Sequence, residues 1–165
     1  MYPGIAVVEA IEEQRPSLDF HFVGTPKGIE ARVIPQTPYQ LHLMDVPPLK
    51  GQGVAGWMSG GVQLTKSGLQ ALKLVREIDP ILTISVGGYA AGPFTMAAAV
   101  SGRPSVLMEQ NREPGMTNKL LSRFVDAAYV SFQATCKAFA SLECEAVGNP
   151  VRRAIRELAA DFDYQ

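Results

Sequence analysis

The sequence holds few of the residues that signal a metal centre or a disulfide framework. Two cysteines, Cys136 and Cys144, and two histidines, His21 and His42, are all that its 165 residues contain. The cysteines stand eight positions apart, which is neither metal-ligand spacing nor a framework, so the spacing predicts two reduced, partly buried thiols. Each histidine sits in a strand-like stretch with no HExxH pattern around it, and neither a metal nor a cofactor is expected. No apolar run reaches the about 18 residues that span a bilayer. The first residues lack the basic start and cleavage site of a secretory signal, which makes the cytoplasm the expected compartment. A net charge of −1 gives no overall pull toward nucleic acid.

What is present is a globular composition, 47% hydrophobic against 19% charged, in a length suited to one domain. Strand and helix signals alternate. The pattern predicts helices over 5–14 and 28–33 with strands over 19–23 and 39–44, followed by a loop through Pro47 to Gly53. A long helix is expected over Val54 to Ile78, with Trp57, Gly61, Leu64, Gly68, Leu72 and Val75 on one face. Asp79-Pro80 ends it. The continuous β-prone run 81–86 suits a strand covered on both faces. Further strands are predicted at 105–107, 128–132 and 145–147, and helices at 95–100, 117–124 and 152–160. This order argues an α/β fold with a parallel sheet, whose ligands bind at the carboxyl ends of the strands.

Three stretches at such ends could carry chemistry. SVGGYAAGP runs from a strand through Gly87, Gly88 and Gly92 into a helix and could bring backbone N–H groups close to a phosphate. It matches neither GxGxxG nor a Walker loop, and such turns are as often structural. Glu109-Gln110-Asn111 offers the mixed donors and acceptors that a hydroxyl-rich ligand needs, or simply satisfies its own turn. In VGNPVRR, Asn149-Pro150 starts a helix whose first turn holds Arg152 and Arg153. Those charges oppose the helix dipole, and an anionic ligand would account for them.

Taken in order, GGYAAGP, EQNREPGMTNK and VGNPVR, with YPGIAVVEAI, FVGTPKGIEARVIP and LKGQGV, resemble the MurG-type N-acetylglucosaminyltransferases of bacterial peptidoglycan synthesis. The likeness extends from Met1 to about Arg153. It implies the Rossmann-like, N-terminal acceptor-binding half of a GT-B glycosyltransferase over residues 1–150, with 151–165 leading toward a C-terminal donor domain that this sequence does not include. The implied reaction moves N-acetylglucosamine from UDP-GlcNAc to lipid I, a lipid-linked muramyl acceptor, with inversion.

By motif, Gly87, Gly88, Tyr89 and Gly92 would face the acceptor diphosphate. Asn111 and Arg152 would contact the donor, while Glu109 and Gln110 would shape the pocket. The family's first strand, its GGTGGH loop and the histidine suspected as general base precede the position of Met1. Glu109 is the carboxylate beside the remaining motifs that could stand in for that base, and Met108 replaces a histidine common in the family. The family's membrane-facing patch would correspond to Trp57, Met58 and Val62 with Lys50 and Lys66, unless Trp57 packs in the core. A split enzyme with a separate donor-domain chain, a non-catalytic acceptor-binding module and an unrelated Rossmann nucleotide-binding protein are the competing readings.

Overall fold

A computed structural model describes residues 1–46, 54–88 and 90–161, with the backbone alone for 54–65 and 159–161. The chain opens on a helix, α1 (Tyr2–Gln14), whose Pro3 sits in the first turn, where its missing N–H costs nothing. Strand β1 (His21–Gly24) follows, then a short helix α2 (Glu30–Val33) continued by a 3-10 turn over Ile34–Gln36, and strand β2 (Gln40–Leu43). The long helix α3 (Val54–Ile78) leads to β3 (Thr83–Ser85), α4 (Ala91–Val100), β4 (Ser105–Glu109), α5 (Met116–Leu121) and β5 (Ala127–Val130). A 3-10 helix over Gln133–Phe139, β6 (Glu143–Ala146) and α6 (Arg153–Asp161) complete the order.

Among the described residues all strand pairs are parallel, but the strands form two sheets: β1–β2, and β3–β4–β5–β6. Between β1 and β3 lies a cleft of about 490 Å³, walled by residues of both strands, of α1 and of α4. The run 81–86 is therefore not a strand covered throughout. Pairing begins at Thr83, and Ile81 and Leu82 remain 72% and 44% exposed.

Two apolar clusters hold the layers. In the first, Met44 after β2, Ala71 and Val75 of α3, and Phe94, Ala97 and Ala98 of α4 are buried together. The alanines let the two helices approach closely. Val75 is buried in this cluster and Leu72 packs against it, as expected, but the centre of the buried face of α3 is shifted: Ser67 and Ala71 turn inward, while a side chain at Gly68 would meet open space. The second cluster joins Leu107, Leu121, Val125, Ala128, Val130 and Phe139 beneath the larger sheet.

The cysteines depart from expectation. The 3-10 helix folds back beside β6 and brings Cys136 and Cys144 to a Cα–Cα distance of 5.6 Å, where they form a disulfide. Sequence spacing carries no sign of this, because the approach depends on the register of β6.

On the smaller sheet His21 Nδ1 and His42 Nε2 lie 2.9 Å apart in a hydrogen bond. His42 is held below the ordinary histidine value of 6.5 by burial first and by the neighbouring His21 second, against the opposing pull of Glu77. The unfolded chain therefore binds a proton more readily than the folded one, and stability falls as pH drops below about 6.5. The melting temperature is expected to decline between about pH 7.5 and pH 5.5, and His42→Gln should flatten that slope. An unchanged slope in the variant would show that the pair does not set it.

Candidate functional site

The carboxyl ends of β3 and β4 open on the same edge of the larger sheet. After β3 the chain turns through Gly87 and Gly88 with φ of +84° and +96°, the region that side-chain-bearing residues avoid. The backbone conformation, rather than crowding, calls for glycine here: a Cβ on Gly88 would meet nothing within 4 Å. A small pocket of about 110 Å³ separates this turn from the Thr25–Glu30 segment. Tyr89 lies outside the described residues. Gly92, in the first turn of α4, faces α5 instead, where its Cβ would come 3.4 Å from the Thr117 methyl.

At the end of β4, Glu109 is 4% exposed and its carboxylate organises the loop that follows. Oε1 accepts from the backbone N–H of Asn111 at 3.0 Å and from its side-chain amide at 2.9 Å. Oε2 accepts from Gly115 N at 2.9 Å and from Asn118 Nδ2 at 3.0 Å. The same Asn118 amide donates to the Met108 carbonyl at 3.2 Å. From the other side, the Thr135 hydroxyl lies 3.3 Å and 3.0 Å from the carbonyls of Asn111 and Arg112. Asn111 is thus exposed yet fixed at both backbone and side chain. Gln110 Nε2 and Asn118 Oδ1 are buried with no partner among the described residues.

The two loops adjoin, since a Cβ on Gly87 would stand 4.0 Å from Asn118 Nδ2. The start of α1 reaches the same edge, as a Cβ on Gly4 would contact Val86 at 3.5 Å. Arg152 arrives there from the far end of the chain, its guanidinium 4.7 Å above the Tyr2 ring. Its neighbour Arg153 is explained without any ligand. Glu9 accepts its backbone N–H at 2.8 Å and Glu13 pairs with its side chain at 2.8 Å, so the acidic face of α1 offsets the dipole.

Gly87, Gly88, Glu109, Gln110, Asn111 and Arg152 therefore share one edge, and Gly92 lies just behind it. Of the suggested membrane patch, Lys50 lies outside the described residues, as do the side chains of Trp57, Met58 and Val62; Lys66 is exposed on α3. No helix among the described residues is long and apolar enough to cross a membrane. Asn118 and Thr135 escaped the sequence reading. A signal for Asn118 exists: Pro114, Asn118 and Leu121 form the buried stripe of α5 and its entry, and an amide in a core position demands a partner.

Residues 1–130 match the glycosyltransferase family 28 N-terminal domain. The chain belongs to this family. The family 28 domain is 37% identical over 157 residues to the UDP-N-acetylglucosamine--N-acetylmuramyl-(pentapeptide) pyrophosphoryl-undecaprenol N-acetylglucosamine transferase of Anaeromyxobacter sp. strain Fw109-5, covering 95% of this chain and 41% of that protein. The protein of the same name from Bdellovibrio bacteriovorus is 35% identical over 161 residues, with 98% and 45% covered. The family 28 domain thus spans less than half the length of these relatives. Its fold is similar to the crystal structure of Acinetobacter baumannii MurG, with a TM-score of 0.69 and 26% identity over 81% of this chain and 38% of that one. A putative UDP-N-acetylglucosamine 2-epimerase from Listeria monocytogenes shares the fold at a TM-score of 0.60 and 12% identity, covering 90% of this chain and 41% of that one.

Proposed function

We propose that this family 28 domain is the acceptor-binding half of an inverting transferase that joins N-acetylglucosamine from UDP-GlcNAc to a lipid-linked muramyl pentapeptide. The observation that carries this reading is the pairing of a positive-φ glycine turn with a rigidly held Asn111 on one sheet edge, in a chain whose relatives bear that activity in their names. The turn at Gly87 and Gly88 suits the acceptor diphosphate, because backbone N–H groups before a helix start favour anions. Asn111, fixed at its own N–H and amide, would meet the donor sugar at little entropic cost.

Residues 1–150 would form the acceptor domain, and 151–165 would lead to the donor domain. Arg152 would exchange the Tyr2 ring for the donor when that domain closes. Glu109 is a positioning residue in this scheme. Both of its oxygens are occupied, so the base that takes the acceptor proton must come from elsewhere. The acceptor's lipid would bring the protein to the cytoplasmic face of the membrane as a peripheral partner.

The purified chain is expected to bind lipid I in detergent micelles yet release no UDP from UDP-GlcNAc. Turnover by the chain alone would overturn the half-enzyme assignment, and failure to bind lipid I would overturn the acceptor assignment. Binding without turnover even when a relative's donor half is supplied would favour the non-catalytic module.

A further inference from the structure

The Asn111 loop is held from two sides, and the second side carries a covalent bond. In front, Glu109 Oε1 accepts the backbone N–H and the side-chain amide of Asn111. Behind, the hydroxyl of Thr135, 1% exposed, reaches the Asn111 and Arg112 carbonyls. Thr135 sits on the 3-10 helix Gln133–Phe139, a form whose hydrogen bonds are poorly aligned and which rarely runs to seven residues unaided. Two anchors fix it. Phe139 fills the core at its end, and Cys136, the residue next to Thr135, is joined to Cys144 of β6. Among the described residues β6 pairs with β5 alone, at the margin of the sheet. Both cysteines are half-buried, with exposed Lys137, Glu143 and Glu145 beside them in the chain, so a small thiol in solution can reach the sulfurs.

We propose that the Cys136–Cys144 disulfide is a redox switch that sets, through Thr135, how rigidly the Asn111 loop is held. A dithiol attacks one sulfur as its thiolate and breaks the Sγ–Sγ bond; its second thiol then resolves the mixed disulfide. Two electrons and two protons pass to Cys136 and Cys144, and the reductant leaves as its own disulfide. Exchange with an external disulfide runs the same steps in reverse. The core survives the change, because Cys136 and Cys144 pack against the Phe139 cluster and a thiol there behaves as a small apolar group. What reduction removes is the restraint one residue from Thr135. The 3-10 helix then loosens at its middle, the Thr135 hydroxyl leaves the two carbonyls, and Asn111 keeps only its bonds to Glu109. Half-exposed disulfides are the reducible kind, whereas buried structural ones resist. As a regulation of donor contact the switch rests on the role proposed for Asn111; the coupling of disulfide to loop does not.

The test follows amide hydrogen exchange in the full 165-residue chain, oxidised and in dithiothreitol. Reduction should speed exchange at Asn111, Gly115 and Thr135 by about three- to tenfold, the loss of one net hydrogen bond, and leave Thr83–Ser85 unchanged. Cys136→Ala combined with Cys144→Ala should match the reduced chain and ignore dithiothreitol. Thr135→Val, which removes the hydroxyl and leaves the disulfide, should show the same acceleration at Asn111 and Gly115, with little added by reduction. Equal acceleration at Thr83–Ser85 would mean that the disulfide supports the whole fold, and unchanged exchange at Asn111 would mean that Thr135 grips the loop without it; either overturns the proposal. In the enzyme assembled with a relative's donor half, reduction should raise KM for UDP-GlcNAc by about three- to tenfold at little cost in kcat. The alanine pair should show the raised KM with or without reductant. Faster loop exchange with KM unmoved would uphold the coupling and overturn the donor role of Asn111 instead.

Discussion

Replacing Glu109 with leucine is expected to destabilise the chain by about 3–5 kcal/mol in urea unfolding. The substitution leaves an apolar side chain of broadly similar size and removes the acceptor for four N–H contacts, two from Asn111 and one each from Gly115 and Asn118. Asn118 is 2% exposed, so its amide cannot turn to water. Glu109→Gln should cost roughly half as much, since one oxygen remains while the new NH2 group faces donors. Hydrogen exchange at the Asn111 and Gly115 amides should accelerate in both variants. The glutamine variant separates the two possible roles of this carboxylate. A general base would lose turnover in the assembled enzyme with stability intact, whereas a positioning residue loses stability and loop protection first. Wild-type stability in Glu109→Gln would contradict the positioning role.

Truncating Phe139 to alanine is expected to cost about 3–5 kcal/mol, or about 10 °C in melting temperature. Phe139 is 1% exposed and packs with Leu107, Leu121, Val125, Ala128 and Val130, so it bridges β4, α5 and β5 from the end of the 3-10 helix. The cross-link between Cys136 and Cys144 restrains that helix beside β6, and the packed sheet above has little freedom to collapse into the gap. A loss below about 1 kcal/mol would mean that the cluster relaxes around the missing ring.

Much of this fold is legible in the sequence because its signals are local. Helix α3 begins at Val54 and ends at Ile78 as its periodicity and Asp79-Pro80 indicate. The remaining elements lie within a few residues of their expected positions, α4 starting earliest relative to its expected start, at Ala91. Features set by distant parts of the chain are not legible. The 3-10 helix over Gln133–Phe139 has no periodicity to announce it, and the disulfide depends on where β6 lies. At the site, the Glu109–Asn111 triplet stood out by composition, but its hydrogen-bond pattern did not. Glu109 reaches partners as far along the chain as Asn118, and Thr135 closes the loop from beyond β5. A carboxylate that reads as a candidate base in one dimension is, in three, the anchor of its own loop.

The contact between α6 and α1 has a mechanical consequence. Glu13 holds Arg153 and Arg156 through ion pairs whose side chains are 43–51% exposed, while Glu9 accepts the backbone N–H of Arg153. Such pairs contribute about 0–1 kcal/mol each and weaken as ions screen them over about 8 Å. The final helix therefore rests on the first as a latch rather than a rivet. Ordinary changes in ionic strength alter its grip, and Arg152, stacked on Tyr2 beside that latch, shares its freedom to swing.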